Sequence, residues 1–211
     1  MLKDLFVKPV AAKRVISALA VCVLLPFCVA TPALAHHVMD AFPIKPGPFT
    51  GLLSGLLHPA LGVDHLLFLM AIGLVGLRQQ FRWVIGLLAI GLIGTLVGLA
   101  WPNSLPGAEA WIGISLALEA LVLLDRLPKT LLLPAIGLHG FVLSAPVMGW
   151  EPTFVIFYLF GLLISQGLLL WISLKLVKNL WSNWGSAAKL KIFSGILFGI
   201  GSSLIWSTLV P

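Results

Sequence analysis

Apolar and polar positions divide the chain into long blocks. Beyond residue 50 nearly everything falls into six hydrophobic runs, approximately 51–77, 83–101, 108–125, 131–149, 152–177 and 190–210, separated by short polar connections. Each run is long enough to cross about 30 Å of hydrocarbon as a helix rising about 1.5 Å per residue. The pattern therefore predicts an all-α, polytopic membrane protein with six transmembrane helices over residues 51–211. Connections this short make consecutive helices antiparallel neighbours.

The charges are consistent with that reading and orient it. The connections "RQQFR", "DRLPKT" and "KLVKNLWSNWGSAAKLK" carry Lys and Arg, whereas the alternating ones, "WPNSLPGAE" and "GWEP", carry none. Cytoplasmic loops are the ones enriched in Lys and Arg, so both ends of the helical domain are expected outside. The first 35 residues read separately. Lys3, Lys8, Lys13 and Arg14 precede a short apolar core, and "TPALA" ends on small residues at Ala33 and Ala35, as a secretory signal peptide cleaved after Ala35 would. Residues 1–35 are read as that signal, and residues 36–50 as a periplasmic, metal-capturing segment. Cys22 and Cys28 both lie in the segment to be removed, which leaves the mature chain without thiolate ligands.

Composition sharpens the class. The chain is 60% hydrophobic and 9% charged, against about 25% charged in soluble domains. Its formal charge of +6 sits beside apolar runs and not in an aromatic-interleaved basic patch, so no nucleic-acid partner is expected; the lipid bilayer is. No phosphate-binding loop and no dinucleotide fingerprint occurs, so the chain does not itself couple to ATP.

Against this background "HPALGVDH", residues 58–65, is out of place. An ionisable side chain at bilayer depth costs roughly 2.5 kcal/mol or more, so three within eight residues need a function. His58 and His65 are seven apart, which returns them to nearly one helix face but leaves them about 10 Å apart along a continuous axis, suited to successive sites on a path. Pro59 and Gly62 favour a local distortion that could bring Asp64 into play and unwind a turn. His139, with Gly140 beside it, is a third intramembrane imidazole. Glu119 and Gln166 are further polar residues within spans, either lining the path or gluing helices, and Glu109 and Glu151 begin spans from the outside, where they could equally serve helix N-termini. After cleavage, "HHVMD" would present a free amine with His36, His37 and Asp40 at the outer mouth. Imidazole and amine nitrogens suit nickel, copper, cobalt and zinc over magnesium or calcium. The expected metal residues are thus His36, His37, His58, Asp64, His65 and His139, with Asp40, Glu109, Glu119, Glu151 and Gln166 as further candidates.

These residues resemble the HupE/UreJ family, hydrogenase and urease accessory membrane proteins regarded as nickel or cobalt permeases, and its cyanobacterial branch in particular. The likeness rests on a signal peptide followed at once by "HH", on "FTGLLSGLLHPALGVDHLLFLMAIGL", on "LPGAE" opening the third span, on "LHGF" in the fourth and on a Glu before the fifth. It implies metal residues at His58, Asp64, His65 and His139, with His36 and His37 at the periplasmic end. At Leu143 and Gln166 the chain departs from members that carry histidine.

The implied function is a divalent transition-metal permease, not an enzyme, in the bacterial inner membrane. It would hold no permanent cofactor, with Ni2+ or Co2+ as the transported ion and metalloenzyme maturation proteins as possible partners. Three other classes remain: a non-transporting metal-binding accessory protein, a bis-histidine haem protein, and an intramembrane hydrolase with Ser54 as nucleophile and His139 as base.

Overall fold

The computed structural model describes residues 45–75, 77, 80–101, 107–177 and 187–210, and every regular element among them is helical. The expected signal peptide, His36, His37 and Asp40 lie outside the described residues. The first apolar run holds two helices, α1 (Pro48–Leu61) and α2 (Val63–Ile72). The second is α3 (Gln80–Ala100) and the third α4 (Ala108–Leu123). The fourth is α5 (Leu132–Val142), flanked by 3-10 turns at Lys129–Leu131 and Ala145–Val147. The fifth is α6 (Pro152–Ile172), continued by a π-helical turn at Ser173–Val177, and the sixth is α7 (Ala187–Leu209).

Local chemistry explains the boundaries. α1 and α6 each begin with proline in the first turn, where the missing N–H has no partner to lose. Just past the C-cap Leu124 of α4, Asp125 has a left-handed φ of 53°. Arg126 N–H donates to Leu121 O and Asp125 N–H to Val122 O, the paired bonds of a Schellman motif. Asp125 thus has a backbone role at the helix end.

Two expectations about the spans change. The first run is not one continuous helix but a pair bent by 70° at Gly62. The break falls at the glycine, not at Pro59, which stays inside α1. Proline removes a single hydrogen bond, whereas Gly62 leaves the helical region altogether at ψ 109° and its N–H closes α1 on His58 O at 2.9 Å. In addition, among the described residues four helices are long and apolar enough to cross a membrane, and five if the bent pair counts as one. α4 falls short: its 16 residues reach only about 24 Å.

Three close helix pairs build the bundle: α1 with α6, α3 with α5, and α4 with α7. Each is a glycine seam. A Cβ on Gly55 would lie 2.1 Å from Tyr158 O, one on Gly140 2.1 Å from Gly91 O, and one on Gly113 2.4 Å from Gly201 O. In each case a glycine on the partner faces back, as Gly161, Gly94 and Gly201 do. Between bilayer-spanning helices there is no hydrophobic gain from association, so backbones are brought close enough for dispersion to hold them. Thr95 reinforces the second seam by donating to Gly140 O at 2.9 Å.

The short helix α2 runs into the middle of this frame, with Phe68, Ala71 and Ile72 fully buried. Its far end is fixed by Ser173, whose hydroxyl donates to Met70 O and accepts from Gly73 N–H, both at 2.8 Å. Large apolar side chains such as Phe81, Ile156, Ile192 and Trp206 remain exposed on the outside of the bundle. That surface suits hydrocarbon and not water.

Candidate metal centre

The bend at Gly62 places the histidines. On a continuous helix His58 and His65 would stand about 10 Å apart along the axis; with the chain turned by 70°, His58 Nε2 lies 3.3 Å from His65 Nε2. The expectation of two separate stations is therefore corrected to one adjoining pair. Two nitrogens bound to one tetrahedral ion, each at about 2.0–2.1 Å, sit about 3.3 Å apart. Gly62 is needed here for space as well as conformation, since a Cβ would come within 2.6 Å of His65 Cδ2 and 3.3 Å of Asp64 Oδ1.

α5 supplies the third imidazole. His139 Nε2 meets His65 Nδ1, the two rings edge-on with centroids 4.4 Å apart. Phe68, one turn beyond His65 on α2, stacks on the His139 ring, with centroids 4.4 Å apart and planes at 14°. Ser115 of α4 completes the group: its hydroxyl donates to Ile112 O at 2.7 Å and lies 2.8 Å from His139 Nδ1. These contacts order the protons along the chain. A hydroxyl has one proton, and with it given to Ile112 O, Ser115 must accept from His139 Nδ1–H. His139 Nε2 then carries the lone pair and accepts from His65 Nδ1–H. That leaves His65 Nε2 as a lone pair toward His58. Rotation of Ser115 is not needed to keep His139 in the tautomer that presents Nε2, the usual task of a hydrogen bond behind a ligating histidine.

Asp64 is buried in the first turn of α2, where the open N–H groups of a half-helix favour negative charge. Its burial and that of Glu119 are the acid content of the interior, and no Lys or Arg is buried among the described residues. Among those residues no three His, Cys, Asp or Glu side chains already form a cage for an ion. The imidazole nitrogens instead face one another, so an ion entering between His58 and His65 replaces a proton contact.

The other candidates are spread out. Glu119 lies one turn along α4 from Ser115, fully buried, with neither oxygen hydrogen-bonded among the described residues. Gln166 on α6 is buried, and its Oε1 is 3.5 Å from where a Cβ on Gly91 would be, so it faces the α3–α5 seam. Leu143 is buried and its carbonyl accepts from Tyr158 at 2.6 Å. Glu109 is half-buried in the first turn of α4, and Glu151 is the exposed N-cap of α6. Neither joins the histidines. Ser54 is buried with its hydroxyl unbonded among the described residues, while both nitrogens of His139 are engaged elsewhere, so the nucleophile and base of a hydrolase are not paired. Ser115 and Phe68 were not singled out from the sequence. A serine and a phenylalanine in apolar helices carry no signal of their own until α4 and α2 are packed on α5.

No curated protein and no solved structure matches the chain. The HupE / UreJ family model does, over residues 23–204, a stretch that includes "HPALGVDH", Ser115 and His139. With that coverage the chain belongs to the HupE/UreJ family, membrane-like accessory proteins associated with metal uptake for hydrogenase and urease.

Proposed function

We propose that the protein is a permease for a divalent transition metal, nickel or cobalt, in a bacterial inner membrane. The observation that carries the reading is the convergence of His58, His65 and His139 at a helix break, with Asp64 at the start of the second half-helix. Broken helices whose half-helix ends face an ion site are a recurrent device of transporters. A site made of nitrogen ligands with one carboxylate, and no thiolate, holds a borderline cation firmly enough to strip water and loosely enough to release it.

The ion is the cargo. His36, His37 and Asp40, exposed by cleavage after Ala35, gather it at the outer mouth. Asp64 offsets its charge, His58 and His65 take it first, and His139 passes it toward Glu119. The membrane potential drives this inward: a dication falling through 100 mV gains about 4.6 kcal/mol, twice the single-charge figure. Six spans with both ends outside fit this direction, α4 serving as the shortest of them.

The test is uptake into proteoliposomes, with nickel, cobalt, zinc and copper compared. Asp64→Asn keeps size and hydrogen bonding but removes the charge; it is expected to lose at least nine-tenths of uptake at unchanged thermal stability. His36→Ala is expected to weaken uptake at low metal and recover at high metal. Full transport by Asp64→Asn across the metal range would refute the permease reading, and saturable binding without flux by the wild type would favour a non-transporting accessory role.

A further inference from the structure

Where α4 ends and α7 begins, a cavity of about 510 Å³ lies apart from the histidines, lined by Arg126, Lys191, Ser194, Gly195, Phe198 and Leu121 among others. Its chemistry is divided. At one end stand two exposed cations, and Asp125, although next to Arg126 in sequence, does not line the cavity. Ser194 is fully buried, and its hydroxyl has no hydrogen-bond partner among the described residues. Ser54 shares that state away from the cavity, whereas Ser115, Ser207 and Thr208 return their protons to carbonyls of their own helices. Ser194 lines the cavity, and its unpartnered hydroxyl would be satisfied by an anion drawn in beside the two cations.

The other end is hydrocarbon. Gly195 and Gly199 fall one turn apart on α7, and a Cβ on either would meet nothing within 4 Å. This leaves an open strip leading away from the cations, bordered by the exposed side chains of Ile192, Ile196 and Phe198. The three closed glycine seams of the bundle look quite different, each filled by a partner backbone.

We infer that this cavity is a binding site for an anionic phospholipid, its phosphate held by Arg126, Lys191 and the Ser194 hydroxyl and one acyl chain lying along the Gly195–Gly199 strip. Basic pockets between membrane helices select anionic headgroups in this way. A zwitterionic lipid would bring its ammonium against two cations, with no acid among the described residues that line the cavity to receive it. A second copy of the chain is disfavoured by the same charges, because a parallel symmetric pairing of α7 on the glycine strip would set Arg126 and Lys191 of both copies against each other. The inference does not depend on the metal reading.

The test uses the full-length protein, purified and delipidated in detergent. Phosphatidylglycerol, phosphatidylcholine and inorganic phosphate are added in turn, and binding is followed by native mass spectrometry and thermal unfolding. Phosphatidylglycerol is expected to bind and raise Tm, phosphatidylcholine and inorganic phosphate to do neither at the same concentration. Arg126→Gln with Lys191→Gln is expected to weaken binding at least tenfold and Ser194→Ala several-fold, whereas Lys175→Gln, an exposed cation outside the cavity, changes nothing. Should the double variant fail to fold, Ser194→Ala and the three ligands on the wild type still decide. Equal binding of phosphatidylcholine, the full effect from inorganic phosphate alone, wild-type binding by Ser194→Ala and the double variant, or a lipid-free dimer abolished by Gly195→Leu would each overturn the assignment.

Discussion

His139 illustrates how much of the site is decided atom by atom. Its Nδ1 is held by Ser115, its Nε2 meets His65, and its face is covered by Phe68. Removing the hydroxyl alone should therefore matter more than its size suggests. Ser115→Ala is expected to weaken metal affinity and uptake roughly 10- to 100-fold, the range for groups that orient ligating histidines, with Tm nearly unchanged. Isothermal titration of the purified variant with nickel or cobalt checks this. Wild-type affinity would mean that the tautomer is set without Ser115.

At the scale of elements, two glycines act for different reasons and should fail differently. Gly62→Ala forces a Cβ to within 2.6 Å of His65, a ring already enclosed by His58 and His139. The α2 half-helix must shift, so metal uptake is expected to fall several-fold even if the protein remains folded. Gly140→Ala instead puts a Cβ 2.1 Å from Gly91 O and disturbs the Thr95 bond to Gly140 O. Overpacking of this kind costs about 1–3 kcal/mol, and the expected result is a lowered Tm in detergent. Gly86→Ala, on the same helix as Gly91 but with its nearest atom at 3.8 Å, is the control and should leave Tm unaltered. Equal effects of Gly140→Ala and Gly86→Ala would show that the seam is not closely packed.

The whole molecule poses the question of orientation. The Lys and Arg balance of the connections argues for both ends outside and for the long fifth connection inside. If cleavage after Ala35 removes Cys22 and Cys28, the remaining chain accepts a single reporter, and Ser186→Cys is expected to resist an impermeant thiol reagent on intact spheroplasts and to react once the membrane is opened. Labelling of intact spheroplasts would invert the orientation, and with it which end of the histidine path faces the outside. The intact mass of the membrane-inserted protein, expected to lack residues 1–35, tests the outer end independently.

Sequence alone determined the helical class, because apolar runs of this length have few other ways to satisfy their backbones in hydrocarbon. It also marked His58, Asp64, His65 and His139, since ionisable groups at bilayer depth are costly enough to be conspicuous one by one. It anticipated a distortion near Pro59 and Gly62, because those residue types act on their own backbone. What it could not give was distance. A seven-residue spacing measures about 10 Å only if the helix continues, and the 70° turn that brings His58 onto His65 depends on α2 being seated among α4, α5 and α6. The same holds for Ser115, Phe68 and the unpartnered hydroxyl of Ser194, which are ordinary residues until another helix lies against them. Periodicity and composition report what each residue prefers locally; partners contributed by elements far apart in the chain exist only once those elements have packed.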